Sequence, residues 1–367
     1  MFLRSARSIA APHLEEIPLN AILRRSRPLV VLVALVLVLA ACGSDSNSGG
    51  GDGLSGEISV DGSSTVAPLT GAAVEAFNAD NPDVQIAVGT SGTGGGFKKF
   101  CAGETDMSDA SRPIKDDDEA EGPACKKNGI KYEEIQIAND GIALVVNKDN
   151  TWAKCLTVDQ LKKIWEPDAQ DKVDNWNQVD PKFPDQKLTL FGAGTASGTF
   201  DFFTGAINGE EGASRSDYNA TEDDNVTVQG VEGDKGGLGY FGLSYYEQNQ
   251  DKLNLVQVDS GDGCVTPTKA TVQDGSYTPL SRPLFIYPSD ALLARPEGIA
   301  FVKFYVDNSE DLATQALFVS MTSEQLAEST AEVAQLAGNA SGSGRGGLVM
   351  AAMYLGGSGR GRRGARA

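Results

Sequence analysis

Of 367 residues, 40% are hydrophobic and 22% charged, the balance of an ordinary folded chain rather than a disordered or fibrous one. The single histidine, His13, lies in the extreme N-terminal stretch. A chain cleaved beyond it has none, which excludes histidine nucleophile triads, histidine-ligated zinc and histidine general bases. The formal charge of −19 argues against nucleic acid as a partner, because a phosphate backbone calls for a basic footprint.

The charge is uneven. Residues 1–41 carry +3 and residues 341–367 carry +5, leaving −27 on the body between them, whose length suits about two domains. At the N-terminus, Arg24, Arg25 and Arg27 precede an unbroken apolar run, Leu29–Ala41. That run fits the core of an export signal and is too short to span a bilayer comfortably. Its end, Leu39-Ala40-Ala41-Cys42, resembles the lipobox of bacterial lipoproteins, which implies cleavage before Cys42 and lipidation of its thiol. The long stretch before Arg24 points to a start codon placed too early. Residues 42–56 are mostly Gly, Ser, Asp and Asn, a flexible tether with nothing to bury.

Export places the other cysteines, Cys101, Cys125, Cys155 and Cys264, in an oxidising compartment. None lies in a CxxC spacing, so structural disulfides are expected rather than redox or metal chemistry. Three pairings are open, of which Cys101–Cys125 with Cys155–Cys264 is preferred.

In the body, a strand is expected at 57–60, a helix at 68–77, a strand at 84–88 and a second helix beginning at Phe97. Residues 135–147 contain an apolar strand, 142–146, continuous enough to be buried on both faces. A helix capped by Thr157 follows at 157–165. A strand at 188–191 feeds a loop and a helix at 200–207; later strands fall at 253–258 and 284–287. Residues 296–336 read as mostly helical, with Ser323 capping the last helix. Strands alternating with helices predict an α/β architecture with largely parallel sheets. The tail 341–367 is rich in Gly and Arg apart from an apolar island at 348–355, and no function is assigned to it.

The informative feature is a recurrence. Asp61-Gly-Ser-Ser-Thr65, Gly89-Thr-Ser-Gly-Thr-Gly-Gly-Gly96 and Gly192-Ala-Gly-Thr-Ala-Ser-Gly-Thr199 each link a strand to a helix. The first turn of a helix leaves backbone N–H groups unpaired at the positive end of its dipole, and Ser and Thr add hydroxyl donors. One such end is an anion site; three together could surround a small tetrahedral oxyanion in a body of −27, with affinity supplied by local dipoles. None of the three matches a nucleotide-binding glycine pattern.

These loops, with CAGETDMSDASRPIK, NDGIALVVN, GGLGYFGLSYY and PLSRPLFIYP, run in order from residue 57 to about 288. Together they resemble the PstS-type phosphate-binding lipoproteins of bacterial high-affinity phosphate ABC transporters. The resemblance implies a type II periplasmic-binding-protein fold, with two α/β lobes joined by crossover strands around a ligand cleft. One lobe would comprise 57–142 and 283–340, the other 143–282. Each preferred disulfide would then fall within one lobe, leaving hinge closure free.

Carried over by position, the implied phosphate contacts are Ser64, Thr65 and Val66 in the first loop, Thr93 in the second, and Ser197, Gly198 and Thr199 in the third. Two positions depart from the pattern. Ala193 stands where some members have arginine, and Ser111 where some have aspartate. Arg112 is expected to supply the missing cation. Asp140, at the NDGI turn before the crossover strand, is expected to accept the ligand's proton, with Asp61 and Asp109 behind it. Such an acceptor would favour hydrogen phosphate over sulfate, which has no proton to give.

The resemblance thus implies a non-enzymatic receptor that takes inorganic phosphate to membrane permease subunits, held outside the cytoplasm by its lipid anchor, monomeric, without cofactor or metal. Alternatives are a receptor for sulfate, molybdate or tungstate, a phosphatase using Ser197 or Thr199 as nucleophile, or a surface adhesin on the same fold. The aromatics Trp152, Trp165, Trp176, Tyr240, Phe241, Tyr245 and Tyr246 are expected to pack rather than bind sugar.

Overall fold

Two strands organise the chain, one divided between separate sets of partners and one central to the first set. The computed structural model describes residues 53–116 and 121–342. The expected signal sequence, Cys42, nearly all of the tether and the tail beyond 342 lie outside the described residues. The strands are β1 (Gly56–Gly62), β2 (Val84–Gly89), β3 (Met107–Ala110), β4 (Ile135–Asn147), β5 (Cys155–Thr157), β6 (Thr189–Ala193), β7 (Asn219–Thr221), β8 (Gly237–Gly242), β9 (Leu253–Asp259), β10 (Cys264–Val265) and β11 (Ser281–Pro288).

Strand β4 is the main crossover. Its first half, through Gly141, pairs antiparallel with β11, while its second half, from Ile142, pairs antiparallel with β8 and β9. β11 continues the first sheet to β3, which adjoins β1 and then β2; β8 continues the second to β6 and β7. β1, β2 and β3 run parallel, as do β6, β7 and β8. The expectation of largely parallel sheets therefore needs correction. The sheets are mixed, because the two crossover strands return against the direction of the strands they join.

Each half has its own apolar core. Ile58, Val60, Leu69, Phe77, Ile137, Leu284, Ile286, Phe301 and Tyr305 belong to the first lobe. Leu144, Trp165, Trp176, Phe203, Tyr240, Phe241 and Val256 belong to the second. In the second, Phe203 stacks on Tyr240 with ring centroids 4.0 Å apart, and Trp165 meets both edge-on. Trp152, Tyr245 and Tyr246 pack against the same core.

The disulfides are Cys101–Cys125, between the helices Thr93–Ala102 and Glu121–Asn128, and Cys155–Cys264, between β5 and β10. Each closes within one set of sheet and helix partners and so constrains the unfolded chain without tying one lobe to the other.

Three local expectations are corrected. The second helix starts at Thr93 rather than Phe97. Glycine is a poor helix former, costing about 1 kcal/mol relative to alanine, so Gly94–Gly96 read as loop. Here close approach prevails: a Cβ at Gly96 would lie 2.8 Å from the Asp61 carbonyl oxygen, so only glycine lets this first turn rest on the end of β1.

The last helix, Ser323–Gly342, is capped by Thr322, not Ser323. Gln325 N–H donates to Thr322 Oγ1 at 3.1 Å, and Thr322 N–H donates to the Gln325 side chain at 2.9 Å, a reciprocal capping box. Finally, Asp140 sits inside β4, not in a turn. Asn139 exchanges backbone hydrogen bonds with Val319, and its amide reaches Gln325, so a polar pair that reads as a turn is satisfied within a ladder.

Candidate functional site

Parallel strands deliver their C-terminal ends to one side of a sheet, and the loops leaving those ends are where α/β proteins hold ligands. Gly89 pairs with Asp61 and Gly62 with Asp109, so the first two Ser/Thr/Gly loops and the Ser111-Arg112 segment leave the first lobe together. The third loop leaves β6 in the second lobe.

The first loop is held from below. Ser63 N–H donates to the Asp109 carbonyl at 2.9 Å, and the Ser63 carbonyl accepts from Val66 and Ala67 N–H at 3.2 and 3.0 Å. The helix Ala67–Asp80 starts there without a side-chain cap. Val66 is fully buried in the first-lobe core, and its N–H serves the turn. Ser64 Oγ donates to Asp201 Oδ2 in the second lobe at 3.2 Å.

At the second loop, Thr93 and Ser111, both buried, share a hydroxyl–hydroxyl hydrogen bond of 3.0 Å, and Ser111 N–H donates to Thr93 Oγ1 at 3.2 Å. The Ser111-for-aspartate departure is thus matched by a hydroxyl pair. At the third loop, Ser197 caps the helix Gly198–Asn208, accepting from Thr199 N–H at 3.1 Å. A Cβ on Gly198 would lie 2.5 Å from Thr65 N, so the helix start and the first loop are in direct contact across the cleft.

The cation at this contact is Arg282, which residue-by-residue reading of the sequence missed. Arg282 lies directly opposite Asp140 in the β11–β4 ladder, and its Nε donates to Asp140 Oδ2 at 3.2 Å. Its Nη2 donates to Thr65 Oγ1 at 2.7 Å, and the guanidinium carbon stands 3.7 Å from the centre of the Phe202 ring. The side chain is 12% exposed. Burial raises the Asp140 pKa above the usual carboxylate value, with Arg282 acting against that rise. Burial likewise lowers Arg282 from its ordinary value while Asp140 opposes it; a guanidinium remains charged at neutral pH.

Arg112 has other partners. Its Nη2 donates to Glu121 Oε1 at 2.7 Å and its Nη1 to the Pro113 carbonyl, while the guanidinium stands 5.5 Å from the Phe97 ring centre. Of the reserve carboxylates, Asp61 is bound by Lys99 at 2.7 Å and by Ser91. Burial works against its charge, but those partners hold its pKa below the usual range. Asp109 points away from the loops: its Oδ2 accepts from Thr70 at 2.8 Å, and Thr70 in turn bonds Tyr305. Burial pushes the Asp109 pKa up to about 7.

Two signals in the sequence bear on Arg282, its place in a quoted segment, PLSRPLFIYP, and the expected cation missing at Ala193, but Arg112 shares both. Among the described residues, no cluster of three or more His, Cys, Asp or Glu is placed to hold a metal ion, and no helix is long and apolar enough to cross a membrane.

The family description of a PBP superfamily domain matches residues 47–309. The phosphate-binding protein PstS of Staphylococcus saprophyticus is 42% identical over 304 residues, covering 82% of this chain and 92% of that one. Among solved structures, a possible phosphate binding protein from Planctomyces limnophilus shares 47% identity at a TM-score of 0.74, over 77% of this chain and 99% of that one. A Clostridium perfringens protein assigned as a phosphate ABC transporter substrate-binding protein, with bound phosphate, shares 27% identity at a TM-score of 0.50 over 73% and 100% of the two chains.

Proposed function

The chain belongs to the PBP superfamily, and from that premise we propose that it captures inorganic phosphate in the cleft between its lobes and delivers it to the permease of an ABC transporter. The carrying observation is the meeting of Thr65, Arg282 and Asp140 with the helix start at Gly198. It combines one buried cation, one buried carboxylate and a helix N-terminus in a single place. The helix dipole and Arg282 attract the anion, and neutralisation of Arg282 by Asp140 keeps the site from binding every anion by charge alone.

Asp140 is the acceptor for the ligand's proton in this reading. Hydrogen phosphate donates to it; sulfate meets a carboxylate with no proton between them. Thr65, Thr93, Ser111, Ser197 and Thr199 supply hydroxyl or backbone donors, Ser64 and Val66 shape the first loop, and Arg282 replaces Arg112 as the cation. The lobes are taken as 57–142 with 283–340, and 143–282. The protein acts without catalysis as a monomer outside the cytoplasm, anchored through lipid on Cys42.

Calorimetric titration of the purified chain with phosphate, with sulfate as competitor, tests this reading. One-to-one binding undisturbed by excess sulfate at pH 8 is expected. Failure of the folded chain to bind phosphate would overturn it.

A further inference from the structure

Ser64 stands in the phosphate-binding loop, yet its hydroxyl is turned toward the opposite lobe. Ser64 Oγ donates to Asp201 Oδ2 at 3.2 Å, a hydrogen bond between residues 137 positions apart. Asp201 lies in the first turn of the helix Gly198–Asn208, one helical turn from the Gly198 that touches Thr65. The next residue, Phe202, carries the Arg282 guanidinium. One helical turn thus presents an acceptor to Ser64, bare backbone to Thr65 and an aromatic face to Arg282. Two of these groups, Gly198 and Phe202, grip what surrounds the anion site. Asp201 instead holds the hydroxyl of Ser64, which is thereby turned to the opposite lobe.

A carboxylate beside an anion site needs a reason, because it repels the ligand. We propose that Ser64 and Asp201 form a cross-cleft latch: a hydrogen bond made only when the lobes are shut, which sets how long the ligand stays rather than how fast it enters. This assignment rests on the phosphate-receptor reading for its ligand but not for its geometry. A bond present in the closed state and absent from the open one stabilises the closed state alone, so its loss appears in the release rate. Hydrogen bonds to charged groups are the stronger kind, and losing one corresponds to about tenfold. Asparagine in place of Asp201 keeps an acceptor oxygen and removes the charge, whereas alanine removes both.

Stopped-flow measurement of inorganic phosphate binding and release, with small-angle scattering of the ligand-free chain, tests the latch. Asp201→Ala and Ser64→Ala should each speed release about tenfold, leave the association rate within about threefold and widen the ligand-free chain. The double variant should go no further than either single one, and Asp201→Asn should fall between Asp201→Ala and the parent. Unchanged release, or single effects that add in the double variant, would overturn the latch. A parent chain that binds no phosphate would instead refute the receptor reading. Scattering then still decides the latch, because single variants with unaltered dimensions refute it and widened ones sustain it.

Discussion

Two of the chain's three Ser-Arg-Pro tripeptides, at residues 111–113 and 281–283, lie among the described residues, and their arginines have different surroundings. Arg112 follows the end of β3, is about one-third exposed and is paired with Glu121 on a neighbouring helix. Arg282 lies within β11, opposite Asp140 across a buried ladder, with Thr65 and Phe202 completing its surroundings. The carboxylate partners differ in the same way. Glu121 is held below its usual pKa by Arg112 despite the opposing effect of burial, whereas burial prevails over Arg282 and raises Asp140. Identical neighbours in sequence thus give one half-solvated ion pair and one desolvated cation, and strand pairing decides which is which. An exposed pair contributes little, with typical values of about 0–1 kcal/mol, while breaking a buried pair leaves a charge without compensation.

The sharpest way to break this comparison is to remove each arginine in turn. Arg282→Ala should weaken phosphate binding by about 100-fold or more, because it deletes the cation and leaves Asp140 unpaired. Arg282→Lys should recover little of that loss, since an ammonium cannot reproduce the planar fork that reaches Asp140 and Thr65 together. Calorimetry of both variants checks this.

Next in size is selectivity. Asp140→Asn should let sulfate compete at least about tenfold better, read as its apparent inhibition constant against phosphate. The parent has a pH dependence of the same sign. Because burial raises the Asp140 pKa, its carboxylate takes up a proton at a higher pH than an ordinary carboxyl. Sulfate competition should therefore strengthen as pH falls from 8 toward 5, and Asp140→Asn should flatten that profile. The smallest effect belongs to the other arginine: Arg112→Ala should change phosphate affinity by no more than about threefold.

Much of the frame was legible in the chain. The capping box at Thr157 and Gln160 appeared where a threonine precedes an amphipathic run, and β2 and β9 fell close to their expected positions. What escaped had tertiary causes. Strand β8, Gly237–Gly242, is rich in glycine and gains its place from pairing with β4 and β6 rather than from propensity. Asp140 and Asn139 read as a turn because their partners, Arg282 and Gln325, lie 142 and 186 residues away. Arg282 escaped for the same reason: nothing local distinguishes it from Arg112, and only the antiparallel register of β11 on β4 brings it beneath the first loop.

A crystal structure of the chain grown with phosphate tests the central claim most directly. The account predicts one phosphate in the cleft, bonded to Arg282, to Thr65 and to the helix start at Ser197–Thr199, with a short contact to Asp140. Phosphate bound by Arg112 away from Arg282, or a cleft that holds no anion at saturating phosphate, would contradict it.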